Sequence, residues 1–232
     1  MIYRVSGDKG MERIPEPDLM DDAEQAEAYA AADFAEPHEA FVRHFRMRFP
    51  GFSKGEVLDL GCGAADVIIR FAGAFPGVNI TGVDGAQAML DIGTSEVGKK
   101  GFAHRVRLLK CRVPDTALLQ NKYDAVISNS LLHHLADPFI MWQTIRHCAK
   151  TYAPVFVMDL FRPDTVKSAE GLLDRYAADA SPVLRKDFFN SLLAAYSVEE
   201  IRQQLVRSNL DYLNIEIVSD RHVLIWGENH EP

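Results

Sequence analysis

The chain has 232 residues, is 47% hydrophobic and carries a formal net charge of −8. That size supports one α/β domain with an accessory segment. The acidic balance, with no run of Lys or Arg forming a basic stripe, argues against nucleic acid as a partner.

Three scattered cysteines, Cys62, Cys111 and Cys148, form no CxxC pair and read as reduced, buried thiols, so no metal site is expected. The first residues, MIYRVSGDKGMERIPEPDLMDD, lack an apolar signal core. No apolar run approaches the roughly 18 residues of a membrane span, so a cytoplasmic protein without membrane contact is expected.

Residues 1–20 carry Gly, Pro and charge without periodicity and read as a flexible arm, with Pro15 and Pro17 suited to holding an extended segment against the body. Residues 21–50 form an alanine-rich helical lid that opens with acids, is interrupted near Pro37 and resumes at Phe41, Val42 and Phe45. Two helices with a kink between them are predicted.

Residues 51–232 form the main domain. Apolar strands at Val57–Leu60, Val78–Val83, Val106–Cys111, Ala125–Asn129 and Val155–Leu160 alternate with helical stretches at 64–75, 86–99 and 137–150. Strands separated by helices imply right-handed βαβ units and a parallel sheet covered on both faces. The alternation lapses over residues 163–196, which read as a helical cap inserted into the domain. Ser197, with Glu200 three places on, forms a capping box that opens another helix. Leu213–Val218 and His222–Trp226, joined by a tight turn at 219–221, give an antiparallel edge.

The chemistry concentrates in "VLDLGCGAAD", Val57–Asp66. A strand runs into a loop where Gly61 and Gly63 leave bare backbone at a helix N-terminus, a seat for a small nucleotide-like guest. A dinucleotide fingerprint would place a third glycine where Asp66 stands, which disfavours a nicotinamide cofactor. Asp59, two places before Gly61, suits a cation such as an ammonium group. Downstream, "ITGVDGAQAML" ends a second strand on Asp84, where a carboxylate can accept from both hydroxyls of a ribose.

Together with "YDAVISNSLLHHLADP", these stretches resemble motifs I, II and IV of the class I S-adenosylmethionine-dependent methyltransferases, in order, across roughly Gly55–Asp159. The resemblance implies a Rossmann-like, doubly wound, seven-stranded and mostly parallel sheet, ordered 3-2-1-4-5-7-6 with strand 7 antiparallel, under a helical lid. It implies S-adenosyl-L-methionine (SAM) as cofactor and S-adenosyl-L-homocysteine as product.

Residue by residue, it implies that Gly61 and Gly63 line the methionine and ribose portion, Asp59 reaches the ammonium and Asp84, followed by Gly85, holds the ribose hydroxyls. Met89 would pack on the adenine, Asn129 would offer its carbonyl with Ser130 beside it, and Tyr29 of the lid would join the cofactor set. One position departs from the family: Arg112 stands where an acid usually accepts the adenine amino group, and arginine only donates. Either Arg112 turns outward and Val113 supplies a backbone contact alone, or the adenine end is altered, with Asp115 as a substitute acceptor.

The acceptor is expected to be a small organic molecule methylated on O, N or C, since the fourth strand runs into SNSL rather than the (D/N)PP(Y/F) of base and amide methylases. His133 is the first candidate for a base. His134, adjacent on a helix, would point about 100° away. Asp159, at the fifth strand end, is a second catalytic candidate, and each of these residues also admits a purely structural reading. His38, Arg162, Tyr176 and Arg185 are the substrate-contact candidates, the two arginines suiting a carboxylate or phosphate. A nicotinamide-dependent oxidoreductase, and a non-catalytic or modified-SAM-binding protein hinted at by Arg112, are the alternatives, and a homodimer is left open.

Overall fold

A computed structural model describes residues 11–16, 26, 27, 29, 30, 32, 34–115, 118 and 120–230. The acid-rich opening expected for the lid at 21–25 lies outside them, as does Pro17.

Seven strands, β1 (Lys54–Leu60), β2 (Gly77–Asp84), β3 (Val106–Lys110), β4 (Ala125–Asn129), β5 (Pro154–Leu160), β6 (Asn214–Ile217) and β7 (His222–Glu228), form one sheet in the order β3-β2-β1-β4-β5-β7-β6. The pairs from β3 through β5 are parallel, while β7 runs antiparallel to both β5 and β6. This is the expected topology. In register, Asp59 of β1 faces Gly82 of β2 and Ile127 of β4, which aligns the strand ends that carry the motifs.

Helices α1 (Ala35–Arg48), α2 (Asp66–Ala74) and α3 (Gln87–Lys99) lie on one face of the sheet, and α4 (Phe139–Cys148) and α7 (Val198–Arg207) on the other. The first face is strongly aromatic. Phe45 of α1 meets Phe71, Phe75 and Phe156 edge-on at 4.8, 5.5 and 5.4 Å between ring centres. Such pairs contribute about 0.5–1.5 kcal/mol each beyond their burial. Most of α1 is therefore core rather than lid, and only its N-terminal end reaches the cleft described below. The expected interruption near Pro37 is present: residues 26, 27, 29 and 30 are helical, the chain leaves the helix at 32 and 34, and α1 begins at Ala35. Pro37 sits in the first turn, where an N–H has no intrahelical partner to lose, and the helix runs straight through.

The inserted cap consists of α5 (Val166–Tyr176) and α6 (Pro182–Ala194), packed together through Ala169, Leu172 and Leu192. Each starts on a side-chain cap: Thr165 accepts from the Ser168 N–H, and Ser181 accepts from Leu184 N–H ahead of Pro182. α7 opens on the capping box, with Ser197 Oγ accepting from Glu200 N–H and Glu200 accepting from Ser197 N–H.

Residues 11–16 lie across the body. Met11 N–H donates to Asp164, and Ile14 N–H to Leu193 of α6. The Arg13 guanidinium donates to the carbonyls of Ala194, His133 and Leu135 and stacks over the Tyr196 ring at 4.0 Å. Among the described residues, no helix is long and apolar enough to cross a membrane.

Candidate active site

A cleft of about 1930 Å³ opens at the C-terminal ends of β1, β2 and β4, the place where open α/β sheets hold ligands. Every residue anticipated for the cofactor lines it: Tyr29, Asp59, Gly61, Gly63, Asp84, Gly85, Met89, Arg112, Val113, Asn129 and Ser130.

The loop after β1 turns through left-handed backbone at Gly61 (φ 73°) and Gly63 (φ 50°). A Cβ on Gly61 would lie 2.9 Å from the Leu131 side chain, so both conformation and space demand glycine there. The loop is pinned to the next strand by Asp84, whose Oδ2 accepts from Gly63 N–H and Oδ1 from Ala86 N–H, both at 2.8 Å. Across the cleft, Ser130 is also left-handed (φ 58°) although it carries a side chain, local strain of the kind that clusters at functional sites. Its hydroxyl accepts from the Asn129 amide at 3.2 Å.

Two oxygens in this wall are buried without a hydrogen-bond partner, Asp59 Oδ1 and Asn129 Oδ1. Leaving such acceptors dry costs about 1–3 kcal/mol each, so the wall is built for a donor from outside the chain. Burial, reinforced by the Asp84 charge, pushes the Asp59 carboxyl well above its ordinary range. The Cys62 thiol is pushed up by burial and by the same two carboxylates. The electrostatic need is for a cation.

Near the helical end, burial pushes the Asp66 carboxyl up, but hydrogen bonds from His38 and Arg70 outweigh that and hold it at about 2. His38 Nδ1 lies 2.6 Å from Asp66 Oδ2, and Phe34 stands between the rings of Tyr29 and His38. Burial, with the charges of Asp66, Asp84 and Asp159, pushes the Tyr29 phenol up to about 12.

A family described as "Methyltransferase domain" matches residues 57–154, the segment that builds this wall. The match covers under half of the chain, and over that segment it bears out the resemblance to the class I S-adenosylmethionine-dependent methyltransferases. The ubiquinone biosynthesis O-methyltransferase of Histophilus somni (strain 2336) is 25% identical over 124 residues, 52% of this chain and 51% of that protein. The demethylmenaquinone methyltransferase of Porphyromonas gingivalis is 24% identical over 147 residues, 63% of this chain and 59% of that protein. The chain thus spans about half the length of the curated relatives it matches. In fold, it superposes on a SAM-dependent methyltransferase from Aquifex aeolicus with a TM-score of 0.65 at 17% identity, over 90% of this chain and 98% of that one.

The methyltransferase wall fits the family's cofactor. The two unpartnered acceptors on Asp59 and Asn129 match an ammonium group, the bare loop at 61–63 admits close approach, and Asp84 carries carboxylate lone pairs beyond those its loop contacts use. Arg112, the departure from the family pattern, is exposed at the rim, and Val113 beside it is half-buried. Asp115 does not line the cleft; its carboxylate instead lies beside the Cys111 thiol, which burial and then Asp115 push up to about 11.

On the acceptor side, His133 lines the cleft and Asp159 stands behind it. His133 Nδ1 lies 2.6 Å from Asp159 Oδ1, and the two side chains are 3% and 1% exposed. Asp159 Oδ2 accepts from Leu132 N–H at 2.7 Å. Asp159 is therefore not open to the cleft as expected for a catalytic group; it orients His133. Burial pushes the imidazole down, but the charge and hydrogen bond of Asp159 prevail and hold it above the ordinary histidine value. His133 and His134 do not splay apart. They lie on a single 3₁₀ turn (Leu132–His134) with ring centres 4.1 Å apart, and both line the cleft.

Two substrate candidates fail. Arg162 is buried away from the cleft, with Nη2 donating to Glu200 at 2.8 Å and Nη1 to the Ala195 carbonyl at 2.9 Å. Arg185 donates to the Ala177 carbonyl and to Asp174, bracing the cap. Their cationic groups are already matched inside the fold. Tyr176 and His38 do line the cleft. Tyr176 donates its hydroxyl to Asp220 under Arg221, tying the cap to the β6–β7 hairpin.

Two groups escaped the sequence. Glu16 sits 2.8 Å from His134 Nδ1, and its placement between Pro15 and Pro17, in a stretch without sequence periodicity, was the available signal. His222 also lines the cleft, and burial, with the Arg221 charge, pushes its imidazole down to about 4.

Proposed function

We propose that this chain is a SAM-dependent methyltransferase acting on a small organic acceptor. The pair of buried, unpartnered acceptor oxygens on Asp59 and Asn129, beside the left-handed glycine loop, carries the cofactor half of this reading. When bound, SAM supplies an electrophilic methyl group. The chain's residues would then have to position a nucleophile, exclude water and accept a proton.

Asp59 and Asn129 hold the ammonium end, Asp84 the ribose hydroxyls, and Met89 and Val113 the adenine region. His133, with Nδ1 committed to Asp159, keeps Nε2 for the acceptor side. The cap faces the cleft with Phe188, Leu184 and the ring of Tyr176, and Phe34, just ahead of α1, joins them in an apolar surround suited to an organic ring. The printed name of the first relative, an O-methyltransferase of ubiquinone biosynthesis, favours an oxygen acceptor on such a ring, and that of the second, a demethylmenaquinone methyltransferase, keeps a ring acceptor without specifying oxygen. With Arg162 and Arg185 spoken for inside the fold, an anionic group on the acceptor is not required. A nicotinamide cofactor is disfavoured again, since Asp66, at the place of a third glycine, is tied to His38 and Arg70.

Calorimetry with S-adenosylhomocysteine and NADH, followed by S-adenosylhomocysteine release across phenolic, catecholic and amine acceptors, tests the proposal. Saturable S-adenosylhomocysteine binding and turnover with a hydroxylated ring are expected. Tight NADH binding, or no affinity for S-adenosylhomocysteine, would overturn it.

A further inference from the structure

The arm, the 3₁₀ turn after β4 and the end of β5 bring together four side chains beside the cleft, of which His133 and His134 line it, in a cluster that methyl transfer does not by itself explain. Glu16, His133 and His134 each offer a ligand atom, and the three atoms lie within 4.8 Å of one another. Glu16 Oε2 is 2.8 Å from His134 Nδ1, while Glu16 Oε1 is buried with no partner at hydrogen-bonding distance, the Ser191 hydroxyl being a near neighbour. The side chains of Glu16, His133 and His134 are 10%, 3% and 24% exposed, so this is not a solvated cluster of surface charges.

We propose that Glu16, His133 and His134 bind a first-row divalent transition-metal ion, of the Zn²⁺, Mn²⁺ or Fe²⁺ kind, at the acceptor end of the cleft. The donor set, two imidazoles and one carboxylate, is the type that leaves coordination positions open on such ions. Bonds of about 2.0–2.2 Å at a tetrahedral angle set ligand atoms about 3.4 Å apart, so the site closes with a drawing-in of at most about 1.5 Å between any two of them. Asp159 supplies what a metal-bound histidine ordinarily has: a carboxylate on the other ring nitrogen, fixing tautomer and orientation. The orphaned Glu16 oxygen is what an unfilled carboxylate ligand looks like.

The open positions would face the cleft, because His133 and His134 both line it, next to Asn129 and Ser130. This inference rests on the methyl-transfer reading of the cleft and deepens it. An acceptor bearing an oxygen that ligates metals, a phenolate, catecholate or enolate, would be seated and made more acidic there, and His133 would act as a ligand rather than as the proton acceptor.

The test is calorimetric titration of the chelator-treated, folded protein with Zn²⁺, Mn²⁺ and Co²⁺ alone, with the visible d–d absorption of the Co²⁺ form as a second readout. One ion per chain and a four- or five-coordinate Co²⁺ spectrum are expected. Glu16→Gln and His134→Gln should each weaken binding at least tenfold, and Asp159→Asn by about 10–100-fold as a positioning change. S-adenosylhomocysteine affinity, measured in parallel, separates the two readings: retained affinity with no saturable metal binding overturns the metal site alone. Binding that is indifferent to Glu16→Gln and His134→Gln, with melting temperatures unchanged, overturns it as well.

Discussion

Asp84, expected to hold the hydroxyls of a ribose, also braces the glycine loop: its Oδ2 accepts from Gly63 N–H and its Oδ1 from Ala86 N–H, each at 2.8 Å. One carboxylate thus shapes the loop and remains available to the ribose. Asp84→Ala should weaken S-adenosylhomocysteine binding by about 1.5–3 kcal/mol and also cost about 1–3 kcal/mol of stability, because two loop N–H groups lose their acceptor. Asp84→Asn should retain part of the brace and lose more affinity than stability. Calorimetry beside thermal melts separates the two effects. A lowered melting temperature with unchanged affinity would reduce Asp84 to a structural role.

Asp59 lies buried beside Asp84 and is held above its usual carboxylate range. A cation seated against it favours the ionised form, so cofactor binding should release a proton from this group. Binding heats measured in buffers of different ionisation enthalpy report that release directly. Asp59→Asn should abolish it and weaken affinity, and an identical proton count in the variant would reject the assignment.

Asp159→Asn should leave S-adenosylhomocysteine affinity within about twofold while lowering turnover at least tenfold, because it unfixes the His133 ring without touching the cofactor wall. His133→Ala should match or exceed that loss. Asp159→Ala goes further and strands the Leu132 N–H, adding about 1–3 kcal/mol of destabilisation. Intact turnover in both His133→Ala and Asp159→Asn would leave the pair as packing.

Arg162 now predicts a stability phenotype in place of a substrate phenotype. Its guanidinium joins Glu200, itself half of the α7 capping box, to the Ala195 carbonyl. Arg162→Ala should cost about 1–3 kcal/mol in denaturant melts, with the KM for any acceptor nearly unchanged. A KM raised selectively for anionic acceptors would restore the original expectation.

His222 makes the fold acid-sensitive. Its pKa falls from an ordinary 6.5 to about 4, so the folded chain keeps the ring neutral where the unfolded chain would charge it. The stability tied to this is fully present above pH 6.5 and is lost progressively as pH falls towards 4. It amounts to about 3 kcal/mol at most. His222→Gln should flatten that window of the stability profile, and an unchanged slope would place the acid sensitivity elsewhere.

The strand order and the glycine-loop wall of the cleft were legible because they are local. Val57–Asp66 encodes strand, bare loop and helix start in ten residues, and Asp84 ends its strand in plain view. The acceptor side was not, because its partners come from far along the chain. Nothing near Arg162 announces Glu200, nothing near Arg185 announces that Asp174 and a carbonyl will use its charge, and Asp159 meets His133 only through the β4–β5 pairing. The interruption near Pro37 was legible, since proline is at home in a first turn and the second helix begins two residues before it, at Ala35. Glu16 lay in a stretch without periodicity, where a contact to the turn after β4 leaves no pattern.

Arg13 fastens three carbonyls from two separate walls of the cleft, Ala194 of the cap and His133 and Leu135 beyond β4. The width of that end of the cleft is therefore set by a few residues upstream of the sheet. If the proposed reading holds, altering this short arm alone should change which acceptor fits while leaving the strands and the glycine loop as they are. Exchanging residues 11–16 for the matching segment of a relative is then a route to transplanting acceptor preference without touching the domain that holds the cofactor.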